Sequence, residues 1–195
     1  MAKPGRNWTQ EPHDIHLEDY GREAAKHISF LNDDEIEHGY YPESIDFIKR
    51  VTGATSIVIF DHHIRRHRPG EAHDNPQKLQ PISLVHVDQT TASSIARVHR
   101  HLPSTEALSL LRRRFQIVNL WRPIPHAAVD RPIAPCDFRS VDLKYMKAMT
   151  PEDFDSIQDG SVARLTPHTG FQDPKTPEGT PLRESVEVRA LVFYD

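Results

Sequence analysis

His86 and Asp88 form the pattern in this chain whose chemistry is most specific. The spacing is His-x-Asp, and residues i and i+2 of an extended strand point to the same side of the backbone. Residues 82–88 alternate apolar and polar side chains, which predicts a strand that presents an imidazole and a carboxylate together. These two groups are two of the three ligands of a 2-His-1-carboxylate metal site.

The third ligand of such a site has to come from a distant part of the chain. The best candidate is His168, in the segment Thr-Pro-His-Thr, just after a short strand predicted at residues 161–165. His86, Asp88 and His168 together predict a facial triad. That triad binds non-haem Fe(II) and leaves positions open for a bidentate 2-oxo acid and O₂.

An arginine near the end of the chain could hold the co-substrate. Arg183 and Ser185 form an Arg-x-Ser pattern at the start of a strand predicted at residues 184–193. A guanidinium there can bind the remote carboxylate of 2-oxoglutarate as a bidentate fork, and the serine hydroxyl can add a hydrogen bond. Arg189 is the second candidate. A solvated basic residue is the ordinary alternative for either arginine, and a turn-capping residue is the alternative for His168.

Composition excludes several other functions. The chain has 195 residues with a net charge of -4, which gives no electrostatic footprint for nucleic acid. Its mean hydropathy of -0.60 and the lack of a long apolar run predict no membrane span. The single cysteine, Cys136, excludes an intramolecular disulfide and favours the cytoplasm. We expect a polar arm at residues 1–20 and one domain at residues 21–195.

The order of predicted elements favours a mainly β fold with flanking helices. Helices are predicted at residues 42–51 and within residues 90–114, where Pro103 and a capping Ser104 separate two helices. Loops are predicted at residues 62–81 and 171–182. Besides the strands already described, strands are predicted at residues 55–61, 115–122 and 135–141.

Other polar clusters are weaker candidates. Asp61, His62 and His63 could also bind a metal, but their polar surroundings favour a structural or substrate-side role. The His-Arg-His segment at residues 99–101 and the three arginines at residues 112–114 are predicted to be surface groups. The chain has no Gly-x-Ser-x-Gly elbow for a serine nucleophile.

Several segments together resemble one family of enzymes. They include Ile-Phe-Asp-His at residues 59–62, His-Val-Asp-Gln-Thr at 86–90, Gln-Ile-Val-Asn-Leu-Trp-Arg-Pro at 116–123, Met-Thr-Pro-Glu at 149–152, Thr-Pro-His-Thr-Gly-Phe at 166–171 and the terminal segment 183–193. The combination resembles the AsaB hydroxylase/desaturase family, which includes CmcJ-like and gibberellin-desaturase-like proteins. The resemblance covers most of the chain.

This resemblance implies a double-stranded β-helix, a cupin-like jelly roll. It also implies hydroxylation or desaturation of a small organic molecule in secondary metabolism, with Fe(II), 2-oxoglutarate and O₂. His86, Asp88 and His168 match the metal positions, and Arg183 matches the co-substrate arginine, with Arg189 as runner-up. Asn119 matches a strand that lines or supports the site.

The chain departs from this family in several respects and leaves two other functions open. It is shorter than most members, its N-terminal region looks trimmed, and Lys-Tyr-Met-Lys-Ala at residues 144–148 replaces an aromatic-rich segment. The stretch between Val141 and Thr150 is short, so the barrel would lack a strand. One alternative is therefore a cupin-like binding or accessory protein of a biosynthetic pathway, with no turnover. The other is a hydrolase that uses the same ligands with zinc, and a requirement for O₂ would distinguish it from an oxygenase.

Overall fold

The computed structural model describes residues 26–27, 29–71, 75–136 and 166–195. The predicted arm at residues 1–20, most of the strand predicted at 135–141 and the strand predicted at 161–165 lie outside these ranges. In the described ranges, no helix combines the length and apolar character needed to cross a membrane.

The described residues form short helices and two antiparallel sheets. The helical segments are α1 (Asp33–Glu35), a π-helical turn (Ile36–Tyr40), α2 (Tyr41–Thr52), α3 (Thr91–His101) and α4 (Ser104–Leu110). The strands are β1 (Ser56–Arg66), β2 (Phe115–Pro123), β3 (Ile133–Pro135), β4 (His168–Gly170) and β5 (Glu184–Phe193). One sheet has the order β1-β5-β2, and the other pairs β3 with β4.

The central strand β5 is buried on both faces. On one face, Val186 and Val188 pack against Phe30, Ile36 and Tyr40 near the π-helical turn. Further along the same face, the strand packs against α2 through its alternate apolar residues Ala190 and Val192. Period-two alternation directs these four side chains to one side, where the helices cover them.

The opposite face of β5 is divided into two halves. At its C-terminal end, Leu191 and Phe193 pack against Val98 of α3 and Ala107 of α4. Toward its N-terminal end the same face carries polar side chains, namely Ser185, Glu187 and Arg189. The third and fourth helices, α3 and α4, therefore cover the apolar half of this face. The polar half lies toward the N-terminal end of β5, outside the apolar cluster.

A β-bulge in β1 directs further polar side chains to the polar half of this face. The pairing of β1 with β5 shifts register between Ile59 and Asp61. One extra residue reverses the alternation of side chains, so alternate residues after the bulge face the polar half. Three polar residues of β1 lie opposite three polar residues of β5: Asp61 opposite Arg189, His63 opposite Glu187 and Arg65 opposite Ser185.

Most predicted elements are confirmed by the structure. The helix predicted at residues 42–51 is α2, with Pro42 in its first turn. The predicted strands at 115–122 and 184–193 are β2 and β5, and the helical spacing at 90–114 corresponds to α3 and α4. The segment predicted as a loop at 171–182 contains no helix or strand.

Three local predictions are wrong. Strand β1 continues to Arg66, into the predicted loop, because β5 is long enough to pair with it up to Glu184. Residues 82–88 form no regular strand, and within them only His86 makes an isolated bridge, to His168. His168 itself lies in β4, and the strand predicted before it at residues 161–165 lies outside the described residues. The N-cap of α4 is Pro103, not Ser104.

Replacing Val188 by alanine should destabilise the fold, because the valine has no exposed surface. Removing its two methyl groups from a packed core should lower the free energy of unfolding by about 2 kcal/mol. The matched control is Val129→Ala, since Val129 is 48% exposed, and its effect should stay within about 0.5 kcal/mol. Urea unfolding measures both, and equal effects would contradict this description of the core.

Candidate metal centre

Three predicted ligands converge in the structure. His86, Asp88 and His168 each offer one ligand atom, and these atoms lie within 4.8 Å of one another. His86 Nε2 is 3.6 Å from Asp88 Oδ1, and His168 Nε2 is 3.9 Å from Asp88 Oδ2. Two atoms that each bind one ion at about 2.1 Å cannot be more than about 4.2 Å apart. Both histidine–carboxylate separations meet this limit.

Main-chain hydrogen bonds hold the two histidines beside each other. The His86 N–H donates to the His168 carbonyl at 3.1 Å, and the His168 N–H donates to the His86 carbonyl at 2.9 Å. Residues that exchange both hydrogen bonds across an antiparallel bridge carry their side chains on the same side. The two imidazole centroids are accordingly 4.5 Å apart.

Hydrogen bonds also select the tautomer of each imidazole. His86 Nδ1 lies 2.8 Å from the Leu84 carbonyl oxygen, and His168 Nδ1 lies 3.0 Å from that of Thr166. A carbonyl oxygen can only accept a hydrogen bond, so each Nδ1 carries the proton. The lone pair of each Nε2 is then available to a metal. Two neutral imidazoles and one carboxylate are a donor set that fits Fe(II).

Neighbouring elements fix the carboxylate of Asp88. Asn119, on β2, donates a hydrogen bond from Nδ2 to Asp88 Oδ2. Helix α3 begins shortly after Asp88 with a capping box, in which Thr90 Oγ1 accepts from the Ser93 N–H and Ser93 Oγ accepts from the Thr90 N–H. The sheet and the helix therefore both constrain the segment that carries this ligand.

An open cleft adjoins the two histidines, and three further ionisable residues line it: Arg65, Arg183 and Glu187. Burial raises the pKa of the Glu187 carboxyl, and the nearby Asp88 carboxylate adds to this effect. Burial lowers the pKa of Arg183 to about 10, and the charge of Arg65 adds to this shift. Among the described carboxylates, none lies within ion-pair distance of either arginine.

Arg183 is buried, with only 4% of its surface exposed, and several contacts orient its side chain. Its Nε donates to Ser185 Oγ at 3.1 Å, and its guanidinium carbon lies 5.1 Å from the centroid of the Trp121 ring. Gly170 leaves space beside it, because a Cβ there would lie 3.3 Å from Arg183 Nη1 and 3.2 Å from the Ile82 carbonyl oxygen.

Arg189 has a different environment. Its Nε donates to Asp61 Oδ1 at 2.7 Å, and its Nη2 donates to Asp61 Oδ2 at 2.5 Å. This is a bidentate ion pair within the polar half of the sheet. The charge of Arg189 is therefore already paired, whereas Arg183 has no ion-pair partner among the described carboxylates.

The Asp-His-His segment at residues 61–63 and His101 make contacts outside the metal triad. Asp61 pairs with Arg189, whereas the adjacent His62 is bonded through Nδ1 to the Tyr41 hydroxyl at 2.8 Å. The Asp-His-His segment thus divides between separate contacts, as a structural role predicts. His101 is not simply a surface group, because it stacks on the Phe60 ring at 5.4 Å and burial lowers its pKa.

Arg65 and Glu187 line the cleft but were not among the site residues predicted from the sequence. Arg65 falls in the segment predicted as a loop, and only the pairing of β1 with β5 directs it to the cleft. Glu187 does carry a signal, because Ser185, Glu187 and Arg189 form a row of alternate polar residues in a strand whose other residues after Glu184 are apolar.

Comparisons with known proteins agree with this geometry. A family model described as "Oxidoreductase/YMDC permease-like domain" matches residues 6–151 and 143–193. The Fe(II)/2-oxoglutarate-dependent dioxygenase nvfI of Aspergillus novofumigatus is 29% identical over 81% of this chain and 67% of its own length. The hydroxylase/desaturase asaB of Aspergillus flavus is 30% identical over 57% of this chain and 70% of its own length.

A solved structure shows the same architecture. The iron and alpha-ketoglutarate-dependent endoperoxidase NvfI superposes with a TM-score of 0.65 and 25% identity over 82% of this chain and 70% of that chain. The fold is therefore the mainly β, cupin-like double-stranded β-helix that the resemblance implied. Fold and triad together define a non-haem Fe(II)/2-oxoglutarate-dependent oxidoreductase.

Within that class, the chain belongs to the hydroxylase/desaturase family that includes asaB, and to the oxidoreductase domain family of the matching model. The expectation drawn from the sequence motifs is thus confirmed. Iron and 2-oxoglutarate are the cofactor and co-substrate of this class, and the His-Asp-His triad fits the metal.

Removing the amide that orients Asp88 should weaken metal binding. We expect Asn119→Ala to raise the dissociation constant for Fe(II) about tenfold, because groups that orient metal ligands contribute roughly 10–100-fold to affinity. Gln116→Ala is the control, since Gln116 also lies on β2 but bonds to the Tyr194 hydroxyl at 2.6 Å. Anaerobic equilibrium dialysis measures both, and equal affinities would disprove the role of Asn119.

Proposed function

We propose that this chain uses Fe(II), 2-oxoglutarate and O₂ to hydroxylate or desaturate a small organic molecule in secondary-metabolite biosynthesis, with His86, Asp88 and His168 as its metal ligands. The convergence of these three side chains is the observation that carries the proposal. The hydroxylase/desaturase and dioxygenase names of its relatives support the same activity. They favour it over an accessory protein without turnover, and over a zinc hydrolase.

The protein supplies geometry and charge, while bound iron supplies the oxidative chemistry that 2-oxoglutarate and O₂ drive. His86 and His168 would donate neutral Nε2 atoms, and Asp88 would contribute the negative charge. Asn119 holds the Asp88 carboxylate in place. Each ligand is thus supported by a hydrogen bond from outside the triad.

The remote carboxylate of 2-oxoglutarate would bind to Arg183. This guanidinium is buried and has no ion-pair partner among the described carboxylates, and a buried cation favours an anion beside it. Ser185 shares its Nε hydrogen bond, and Arg65 adds a second positive charge to the same cleft. Arg189 fits this role less well because Asp61 already pairs with it.

The molecule that binds in the cleft would be small. The position of the cleft beside the two histidines and its mixed lining of charged and apolar side chains suit a small organic substrate. The net charge of -4 supports no nucleic-acid partner. We assign the activity to the cytoplasm on the basis of the single, partly buried Cys136.

Removing a triad ligand should abolish metal binding. We expect His86→Ala and Asp88→Ala each to lose Fe(II) binding and 2-oxoglutarate-dependent succinate formation, because two remaining ligands hold the ion too weakly. Equilibrium dialysis and succinate assays measure these effects, and circular dichroism checks that the fold is kept. Normal succinate production by either variant would contradict the assignment.

The two candidate arginines should respond differently to replacement. Arg183→Ala should raise the KM for 2-oxoglutarate about tenfold or more, because it removes a buried cation from a carboxylate, while Fe(II) affinity is kept. Arg189→Ala should instead lower stability, because it leaves the Asp61 carboxylate without its partner. Steady-state kinetics and urea unfolding separate the two effects. The opposite pattern would transfer the co-substrate role to Arg189.

A further inference from the structure

His67 and Asp130 form a partly buried pair outside the triad and the cleft. His67 Nδ1 lies 2.6 Å from Asp130 Oδ2, and their side chains are only 13% and 15% exposed. His67 follows the last residue of β1, and Asp130 lies in the connection between β2 and β3. The pair therefore joins two segments that neither sheet connects directly.

Both members of this pair also hold the backbone of Arg183. The Arg183 N–H donates to Asp130 Oδ2 at 2.9 Å, so this one oxygen accepts from Arg183 and contacts His67. On the other side, the His67 N–H donates to the Arg183 carbonyl at 2.8 Å. The peptide groups before and after the Arg183 side chain are thus both fixed by the same pair.

The connection that carries Asp130 reaches the guanidinium as well. The carbonyl of the next residue, Arg131, accepts a hydrogen bond from Arg183 Nη1 at 2.7 Å. Arg131 has a φ of 46°, a left-handed conformation that is uncommon for a residue with a side chain. Surrounding contacts must hold this conformation, and the bonds of the adjacent Asp130 are among them.

We propose that His67 and Asp130 are positioning residues, which fix the Arg183 guanidinium in the orientation that binds the remote carboxylate of 2-oxoglutarate. This inference rests on the proposed co-substrate role of Arg183. The pair acts on the Arg183 backbone directly and on its Nη1 through the carbonyl of Arg131. It would not itself touch the co-substrate.

Arg183 lies at the end of the sheet, where its side chain needs other residues to hold it in one orientation. The residue immediately precedes β5, and the His67 N–H supplies the main-chain bond that extends the pairing of β1 with β5 to it. A free arginine side chain has many rotamers, and a ligand would have to overcome the entropy of fixing one of them on binding. A guanidinium that is already oriented avoids most of this cost. Removing the contact between His67 and Asp130 should therefore weaken the binding of 2-oxoglutarate first.

A neighbouring ion pair provides a matched control. Arg66 Nε lies 2.6 Å from Glu184 Oε2, and each side chain is 36% exposed. These residues are adjacent to His67 and Arg183 in the sequence, and they connect the same strands, β1 and β5. Glu184→Gln therefore removes a nearby charge pair that makes no side-chain contact with Arg183.

The experiment compares Asp130→Ala, Asp130→Asn, Glu184→Gln and Arg183→Ala in the 195-residue chain loaded with Mn(II), which prevents turnover. Calorimetry measures the dissociation constants for Mn(II) and for 2-oxoglutarate. The emission of Trp121, which Arg183 contacts, reports the guanidinium position without any ligand. A Trp8→Phe background leaves Trp121 as the single tryptophan.

We expect Asp130→Ala to raise the dissociation constant for 2-oxoglutarate about tenfold, because a small misplacement of a binding group has a large effect. Mn(II) affinity should stay within about twofold, as should both affinities of Glu184→Gln. Asp130→Asn keeps one acceptor oxygen and should lie between wild type and alanine. Trp121 emission should change in the Asp130 variants and not in Glu184→Gln.

Three results would overturn the inference. If both Asp130 variants bind 2-oxoglutarate as tightly as wild type while Arg183→Ala binds weakly, the pair is not a positioning device, and the proposed function stands. If Glu184→Gln weakens binding as much as they do, the effect is one of general stability. If Arg183→Ala binds 2-oxoglutarate normally, the co-substrate assignment itself fails. Should Asp130→Ala not fold, Asp130→Asn decides in the same way.

Discussion

Two main-chain hydrogen bonds between His86 and His168 govern the geometry of this site. A hydrogen bond contributes only about 1 kcal/mol net, yet these two decide whether distant segments of the chain share one ion. They set the imidazoles side by side, and the carbonyls of Leu84 and Thr166 then direct both Nε2 atoms to Asp88. The metal centre is therefore a property of backbone pairing as much as of side-chain identity.

The three-stranded sheet supplies charged residues of the cleft because one of its faces is divided into an apolar half and a polar half. Helices α3 and α4 cover the end that carries Leu191 and Phe193, whereas the other end carries Glu187 beside the cleft. The bulge in β1 matters here, since without it Arg65 would point to the opposite face. Arg65 and Arg183 have no ion-pair partner among the described carboxylates, and a dianionic co-substrate would offset the cost of burying these two charges.

The sequence was sufficient where local patterns decide structure. The His-x-Asp pair, the distal histidine and the Arg-x-Ser pattern identified the triad and Arg183, and alternation identified β5. The structure confirms their proximity, although residues 82–88 form only an isolated bridge rather than the predicted strand. Arg65 and Asp130 could not be found in this way. Their roles depend on strand register and on contacts with Arg183, which no local pattern encodes.

The central claim is that one iron ion is shared by His86, Asp88 and His168 and chelated by 2-oxoglutarate. It is tested most directly by anaerobic titration of the protein with Fe(II) in the presence of 2-oxoglutarate, monitored through the visible charge-transfer absorbance of the chelate. We expect a band that requires 2-oxoglutarate, saturates at about one equivalent of iron and is lost in His168→Ala. No band in the wild-type protein, or an unchanged band in His168→Ala, would contradict the account.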